Sequence, residues 1–421
     1  MDIWRNNAAR SLAGLLAVLG ATGLAWAAQT ENTCLDCHSA LDPPFQVTAE
    51  KFAEDIHSQK GLTCASCHGG DPTKPDESAM TKAAGFRGKI DRKDVPGLCG
   101  HCHSDAAYIR QYDPSLRTDQ YSQYVTSLHG KLRAKGDDKV AVCTDCHSVH
   151  DIRAPNDPRS TVYPLNIAQT CARCHADTAY MKGYAIPTDQ FASYSTSVHH
   201  DALVVRGDLS APTCTTCHGD HGAAPPGVST VQNVCSTCHV FQAQLFAASP
   251  HKAAFEAASF PGCVTCHSNH RIVHATDAML GTGPQSACVT CHTQGDDGYK
   301  AADRMHAQLQ NLDATIVRSN KILEKARDAG MEVSEALSEQ DEARDSLTKA
   351  RVTIHSLNPA QVDEDISAGL NVTEKAHAAG VAALAERDYR RKGLGLSLIA
   401  ILAVVIGLRL YLREIESGRR P

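Results

Sequence analysis

Two apolar runs lie near the ends of the 421-residue chain. The first, residues 12–26, follows the basic residues Arg5 and Arg10 and reaches an Ala-Trp-Ala sequence at 25–27. A basic start, a short apolar stretch and an A-x-A site are typical of a secretory signal peptide. We therefore predict that residues 1–27 are a signal and that the chain from Ala28 is exported. An uncleaved N-terminal anchor is the alternative, although the run is short for a membrane span.

The second apolar run covers residues 393–412. At a rise of about 1.5 Å per residue, twenty helical residues reach about 30 Å, the thickness of bilayer hydrocarbon. Its one charge, Arg409, lies near enough to the end to reach the headgroups. We predict a transmembrane helix at 392–412 and a cytoplasmic tail at 413–421, rather than a buried helix of a soluble domain. Basic residues flank both sides, so the signal peptide, and not the positive-inside rule, sets the orientation.

Residues 300–391 are rich in Ala, Glu, Asp, Arg and Leu and contain no cysteine. Apolar positions recur there in steps of three and four, the period of amphipathic helices, as in Met305, Leu309, Leu312, Ile316 and Leu323. Gly330 suits the end of a first helix, and Asn358 followed by Pro359 suits the start of a third. We predict about three helices, which serve either as a spacer or as a docking face.

All eighteen cysteines lie between these regions, in nine Cys-x-x-Cys-His motifs. The cysteines are Cys34, Cys37, Cys64, Cys67, Cys99, Cys102, Cys143, Cys146, Cys171, Cys174, Cys214, Cys217, Cys235, Cys238, Cys263, Cys266, Cys288 and Cys291. The motif histidines are His38, His68, His103, His147, His175, His218, His239, His267 and His292. In c-type haem attachment the two thiols form thioethers and the histidine becomes the proximal axial ligand of the iron. The motifs therefore predict nine covalently bound haem c groups.

Disulfides and zinc ribbons also use paired cysteines. Neither explains a histidine after every one of nine pairs, so we set them below haem as alternatives. Haem c is attached on the outer side of the energy-coupling membrane, which agrees with the export signal. We expect a protein on the periplasmic side of a bacterial inner membrane, held by a single C-terminal anchor.

Residues 28–299 form the predicted nonahaem domain. Aromatic residues make up only 5% of the chain, so side chains alone give a small core there. We expect a haem-packed, largely irregular fold with short helices and almost no β-structure, followed by the long C-terminal α-helices and the transmembrane helix.

A two-haem unit is repeated along this domain. Residues 118–129 (TDQYSQYVTSLH) are echoed by residues 188–199 (TDQFASYSTSVH). Each repeat reads as a lone histidine, a first Cys-x-x-Cys-His motif, often a further histidine three residues later, and a second motif. The lone histidines are His57, His129, His199 and His251, and the further histidines are His150, His221 and His270. We predict these seven as distal axial ligands, the further ones reaching neighbouring haems.

Nine irons need nine distal ligands, and the repeat supplies seven. We predict His306 as the eighth and His355 as the ninth, with His274, His200, His377 or a methionine as alternatives to His355. His101 lies inside its own motif and is treated as a non-ligand. The first repeat has Asp71 where the others have the further histidine. At least one haem is therefore a candidate for an open axial position.

The doubled motifs, the YxTSxH stretches and the Arg390-Arg391-Lys392-Gly393-Leu394 segment before the terminal apolar run resemble the membrane-anchored multihaem cytochromes c of bacterial respiratory chains. The resemblance implies an electron conduit with a cytochrome b type or other quinol-oxidising membrane partner. The layout is also similar to the pentahaem nitrite reductase and hydroxylamine oxidoreductase superfamily, but no Cys-x-x-Cys-Lys motif is present.

Two functions follow. The favoured one is electron transfer from a membrane quinol-oxidising partner to a periplasmic redox acceptor, which needs no catalytic residue. The alternative is a multihaem reductase or oxidase of a small nitrogen or sulfur compound at one open haem. A formal net charge of −6 argues against nucleic-acid binding.

Overall fold

The computed structural model describes residues 32–225 and 227–418. The predicted signal at 1–27 lies outside these residues, as does the end of the predicted tail. The described ranges are helical or irregular and contain no strand, which confirms the expected fold class. The chain divides into two compact units, one of Met1–Arg173 with Asp220–Ala223 and the other of Cys174–Gly219 with Ala224–Pro421.

The haem-motif region is built from short helices. In chain order they are α1 Cys34–His38, α2 Ala49–Ala53, α3 Ile56–Gln59, α4 Cys64–His68, α5 Val95–His103, α6 Ala106–Ile109, α7 Gln120–Thr126, α8 Leu128–Ala134, α9 Cys143–His147, α10 Pro164–His175, α11 Gln190–Tyr194, α12 Val198–His200, α13 Cys214–His218, α14 Val240–Ala248, α15 Pro250–Ala257 and α16 Cys263–His267. Short 3₁₀ segments lie at Glu77–Met80, Lys82–Ala84, Val231–Thr237, Asp277–Met279 and Cys288–Thr290, and Asp201–Val205 forms a π-helical turn.

A buried cap residue starts each helix that carries a lone histidine. Asp55, Ser127, Ser197 and Ser249 each lie two residues before that histidine, and all four are buried. Three of them accept a hydrogen bond from a backbone N–H of the first turn, as N-cap side chains do. The cap therefore fixes the lone histidine as the second residue of its helix.

Three long helices form the C-terminal region: α17 Asp297–Asp328, α18 Ser334–Thr353 and α19 Pro359–Gly418. A 3₁₀ turn, Ile354–Ser356, links the last two. The predicted apolar stripe is their core, with Leu309, Leu312 and Leu323 completely buried. Buried Gln340 donates to the Ile316 carbonyl at 3.0 Å and accepts from the Thr373 hydroxyl at 2.8 Å, so the one long polar side chain in this core is satisfied.

The helix α19 combines the predicted third helix and the apolar run in one 60-residue element. Its apolar part has a mean hydropathy of 2.3 and is unburied. Within the described ranges it is the one helix whose length and composition suit a bilayer crossing.

Candidate haem-binding sites

The Cys-x-x-Cys-His motifs are mostly single helical turns. Five of them are five-residue helices, namely α1, α4, α9, α13 and α16, and two lie at the ends of α5 and α10. Residues three and four apart lie on the same face of a helix. Such a turn brings the two thiols and the imidazole of a motif to one side, where one macrocycle can receive all three.

The cysteines of the described chain are present as thiols and not as disulfides. No group of three or more His, Cys, Asp or Glu side chains in that part of the chain is arranged to hold a metal ion. The structure therefore gives no support to the disulfide or zinc alternatives.

Motif histidines instead face predicted distal histidines in pairs. Within the described parts of the two units, seven pairs have the following distances between ring centres: His57–His103 6.1 Å, His68–His150 6.1 Å, His147–His221 6.0 Å, His199–His239 6.4 Å, His218–His270 5.9 Å, His251–His292 5.8 Å and His267–His355 6.1 Å. Every pair joins one proximal and one candidate distal ligand.

This separation fits an iron between the two rings. A bond from a metal to an imidazole nitrogen is about 2 Å long, and the ring centre lies about 1 Å behind that nitrogen. Two imidazoles on opposite faces of one haem thus have centres roughly 6 Å apart. The narrow range from 5.8 to 6.4 Å is what ligation of a common iron requires.

The pairs follow two rules. A lone histidine faces the proximal histidine of the second motif in its own repeat, as His57 faces His103 and His251 faces His292. The histidine three residues after a first motif faces the first motif of the preceding repeat, as His150 faces His68 and His270 faces His218. The first motif of one repeat is therefore paired with a histidine of the next repeat.

The helical region completes the last repeat. His355, in the turn after α18, faces His267 at 6.1 Å. His306 on α17 has no such partner among the described residues. Its Nε2 lies 3.1 Å from the Gln310 amide, and its ring packs on Gly281. The structure thus brings His355, but not His306, to a proximal histidine.

Burial keeps several of these rings neutral. Burial, together with the nearby His221 and His103, lowers the pKa of His147 to about 4. Burial likewise lowers the pKa values of His103, His218 and His267. A neutral imidazole has the free nitrogen lone pair that a metal ligand needs.

The second ring nitrogen of several histidines is held by the protein. The Nδ1 atoms of His38, His68 and His355 each lie 2.9 Å from a backbone carbonyl oxygen, those of Phe45, Gly88 and Val352 respectively. Such a bond fixes Nδ1 as the donor and leaves Nε2 to bind the iron.

The lone histidine of the first repeat has a carboxylate partner instead. Its Nδ1 lies 3.0 Å from Asp55 Oδ1. Burial by itself raises the pKa of Asp55, but hydrogen bonds from the His57 ring and from the His57 and Ile152 backbones outweigh this and lower it. The sequence analysis missed Asp55. An Asp or Ser two residues before each lone histidine was the available signal.

Attachment points of consecutive motifs touch. The first cysteines hydrogen-bond in three such pairs, Cys34 with Cys64, Cys99 with Cys143, and Cys235 with Cys263. Burial raises the pKa values of Cys67 and Cys217, and the second cysteines of the next motifs, Cys102 and Cys238 respectively, lie close enough to raise them further. Within each unit, neighbours in sequence are therefore neighbours in space.

The other candidates stay predictions. His129 holds the position in the second repeat that His57 holds in the first. Among the alternatives, the His200 ring lies edge-on to Tyr194 at 5.4 Å. The Nδ1 atom of His377 is buried without a hydrogen-bond partner.

Comparison with known proteins finds a family model that matches part of the chain. No curated protein and no solved structure matches the chain. The family model described as cytochrome c3 matches residues 56–176. This stretch begins one residue before His57 and ends one residue after His175, so it contains the first two repeats and four of the nine motifs. Residues 56–176 are accordingly similar to the cytochrome c3 family of multihaem c-type cytochromes.

Proposed function

We propose that the protein is a nonahaem cytochrome c that conducts electrons outside the inner membrane, from a quinol-oxidising membrane partner to a periplasmic redox acceptor. The observation that carries this proposal is the set of seven histidine pairs at the separation that one shared iron requires. Haem iron bound in this way supplies one-electron redox chemistry.

The residues of the chain suit conduction better than catalysis at these seven sites. Two imidazoles fill both axial positions of an iron, so no substrate reaches it. Touching cysteines of consecutive motifs hold the attachment sites side by side, as Cys34 lies with Cys64 and Cys235 with Cys263. Close attachment sites support rapid transfer from one site to the next.

The histidine pairs also support haem at motifs outside the stretch that matches the cytochrome c3 family. The third and fourth repeats, which lie outside residues 56–176, show the same pairings, as in His199–His239 and His218–His270. We propose that all nine motifs carry haem.

A membrane attachment through α19 completes the proposal. Its apolar run is exposed along its whole length, which would be costly in water, and its length matches a bilayer. Together with the export signal predicted for residues 1–27, this supports a haem domain on the periplasmic side of the membrane.

Mass spectrometry and redox titration test this function together. The mature chain is expected to carry the mass of nine haems, and its reduction is expected to spread over a broad range of potential in several steps. A polypeptide without added mass, or one narrow wave from a single haem, would contradict the proposal. Recovery of the protein in the membrane fraction, lost on truncation after residue 391, tests the anchor.

A further inference from the structure

The repeat rule assigns a distal ligand to the first haem motif, and that position holds no histidine. In the second and fourth repeats, the histidine three residues after the first motif faces the preceding repeat's first motif, as His150 and His270 do. His221 of the third repeat does the same for His147. The corresponding residue of the first repeat is Asp71, and the motif before it ends at His38.

The segment with Asp71 does lie beside the first motif. The backbone N–H of Thr33 donates to the Pro72 carbonyl at 2.9 Å, and the Thr33 hydroxyl reaches the Lys74 carbonyl at 2.6 Å. The segment that carries a histidine in later repeats therefore lies beside the first motif here as well, with Asp71 in place of that histidine.

The Asp71 carboxylate is engaged within its own turn. It accepts hydrogen bonds from the Thr73 backbone N–H at 3.1 Å and from the Thr73 hydroxyl at 2.7 Å. Lys74 lies 3.9 Å from its other oxygen. These local bonds stabilise a turn conformation of Asp71 and compete with any role as an iron ligand.

No other histidine takes this place in the described part of the chain, where no imidazole ring faces His38 at the separation found for the seven pairs. Residues 1–31 contain no histidine at all. The His38 ring is nevertheless prepared as a ligand, since its Nδ1 is bound to the Phe45 carbonyl.

We propose that the haem attached through Cys34, Cys37 and His38 keeps one axial position for a small exogenous monodentate ligand. The proposal rests on the haem content proposed above. The first pairing rule assigns the lone His129 to His175 of the fifth motif, so the first motif is the one motif left without a candidate histidine for its second axial position among the described residues.

The experiment uses the full-length protein, with its haem content established first by mass. The reduced protein is titrated with carbon monoxide, and the oxidised protein is examined for high-spin ferric haem. We expect one carbon monoxide per chain and a high-spin signal from about one haem in nine. Nine haems that are all low-spin and bind no carbon monoxide would overturn this inference while leaving the electron-transfer function intact. A chain without haem would defeat the function itself.

Two matched variants locate the site. Cys34→Ala with Cys37→Ala removes the first attachment, and we expect one haem and all carbon monoxide binding to be lost. Cys288→Ala with Cys291→Ala removes the ninth attachment, and we expect one haem lost with carbon monoxide binding retained. Binding that survives the first variant would overturn the assignment. His150→Ala is a positive control, expected to raise the stoichiometry from one to two.

Discussion

The haem-motif region and the C-terminal helical region reach stability by different means. In residues 297–376 the core contains large side chains with no exposure, such as Leu309, Leu312 and Leu323. In residues 32–296 the described buried apolar residues are fewer although the region is much longer, alanines such as Ala79, Ala168 and Ala172 are common among them, and most helices last a few residues. Isolated helices of that length are unstable in water. The C-terminal helical region is therefore stabilised by its own side chains, whereas the haem-motif region depends on the haems that its histidine pairs are placed to bind.

Removal of haem should have the largest effect, because it should unfold the haem-motif region and leave the C-terminal helical region folded. If the chain is produced without haem attachment, we expect residues 32–296 to lose essentially all amide protection, while residues 297–376 remain protected. Hydrogen exchange with mass spectrometry measures both regions in one sample. Protection of the haem-motif region in a haem-free chain would show that its side chains suffice.

A cavity in the helical core tests whether large buried side chains stabilise the C-terminal helical region. Leu312→Ala removes a fully buried side chain and should destabilise the helical region by about 2–5 kcal/mol. Thermal unfolding followed at 222 nm measures the loss. The matched control is Val317→Ala on the same helix, where the side chain is exposed and we expect a change below about 0.5 kcal/mol. Equal effects of the two variants would contradict the assignment of the core.

Two histidine variants test the contact between the haem-motif region and the C-terminal helical region at His267 and His355. His355→Ala should leave the haem at His267 with one histidine ligand, giving one additional high-spin, carbon monoxide-binding haem per chain. His306→Ala is the matched control and should leave the haem spectrum unchanged, because its ring faces no proximal histidine among the described residues. A changed haem spectrum in His306→Ala would restore His306 as the distal ligand predicted from the sequence, and an unchanged spectrum in His355→Ala would contradict the pairing of His355 with His267.

The smallest expected effect is a shift in haem potential when the Asp55 carboxylate, which is hydrogen-bonded to the His57 ring, is replaced. Its hydrogen bond with the ring makes the imidazole a stronger electron donor, which favours ferric iron. Asp55→Ser, the residue type of the other three repeats, should raise the potential of the haem at His103 on the order of tens of millivolts, since a tenfold change in a one-electron equilibrium is about 59 mV.

Spectroelectrochemical titration measures this shift. Ser197→Ala changes the corresponding cap of the third repeat, whose hydroxyl accepts from the His200 backbone, and should leave the potentials nearly unchanged. A downward shift in Asp55→Ser would contradict the role given to the carboxylate.

Much of the site could be predicted from the sequence because covalent haem attachment has a fixed local motif. The six repeat histidines seen in pairs were also predictable, since the repeat places them at constant offsets. Their partners were not, because the motif nearest in sequence is skipped: His57 precedes Cys64 yet faces His103. Only the path of the chain in three dimensions settles such a pairing.

The choice between His306 and His355 shows the same limit. Both lie on or beside amphipathic helices, and sequence separation favoured His306. The structure places His306 against Gly281 and brings the turn after α18 to the eighth haem motif, at His267. Helix length and direction decide this, and a periodic pattern does not encode where a helix end will lie.

The interlocking of neighbouring repeats has a consequence for biogenesis. On the proposed function, with export from the amino terminus, His68 would gain its second imidazole only after His150 had emerged, and His218 only after His270 had emerged. Coordination would then be completed in order from the amino terminus. The haem at His267 would be completed last, once the residues before α19 had emerged and supplied His355.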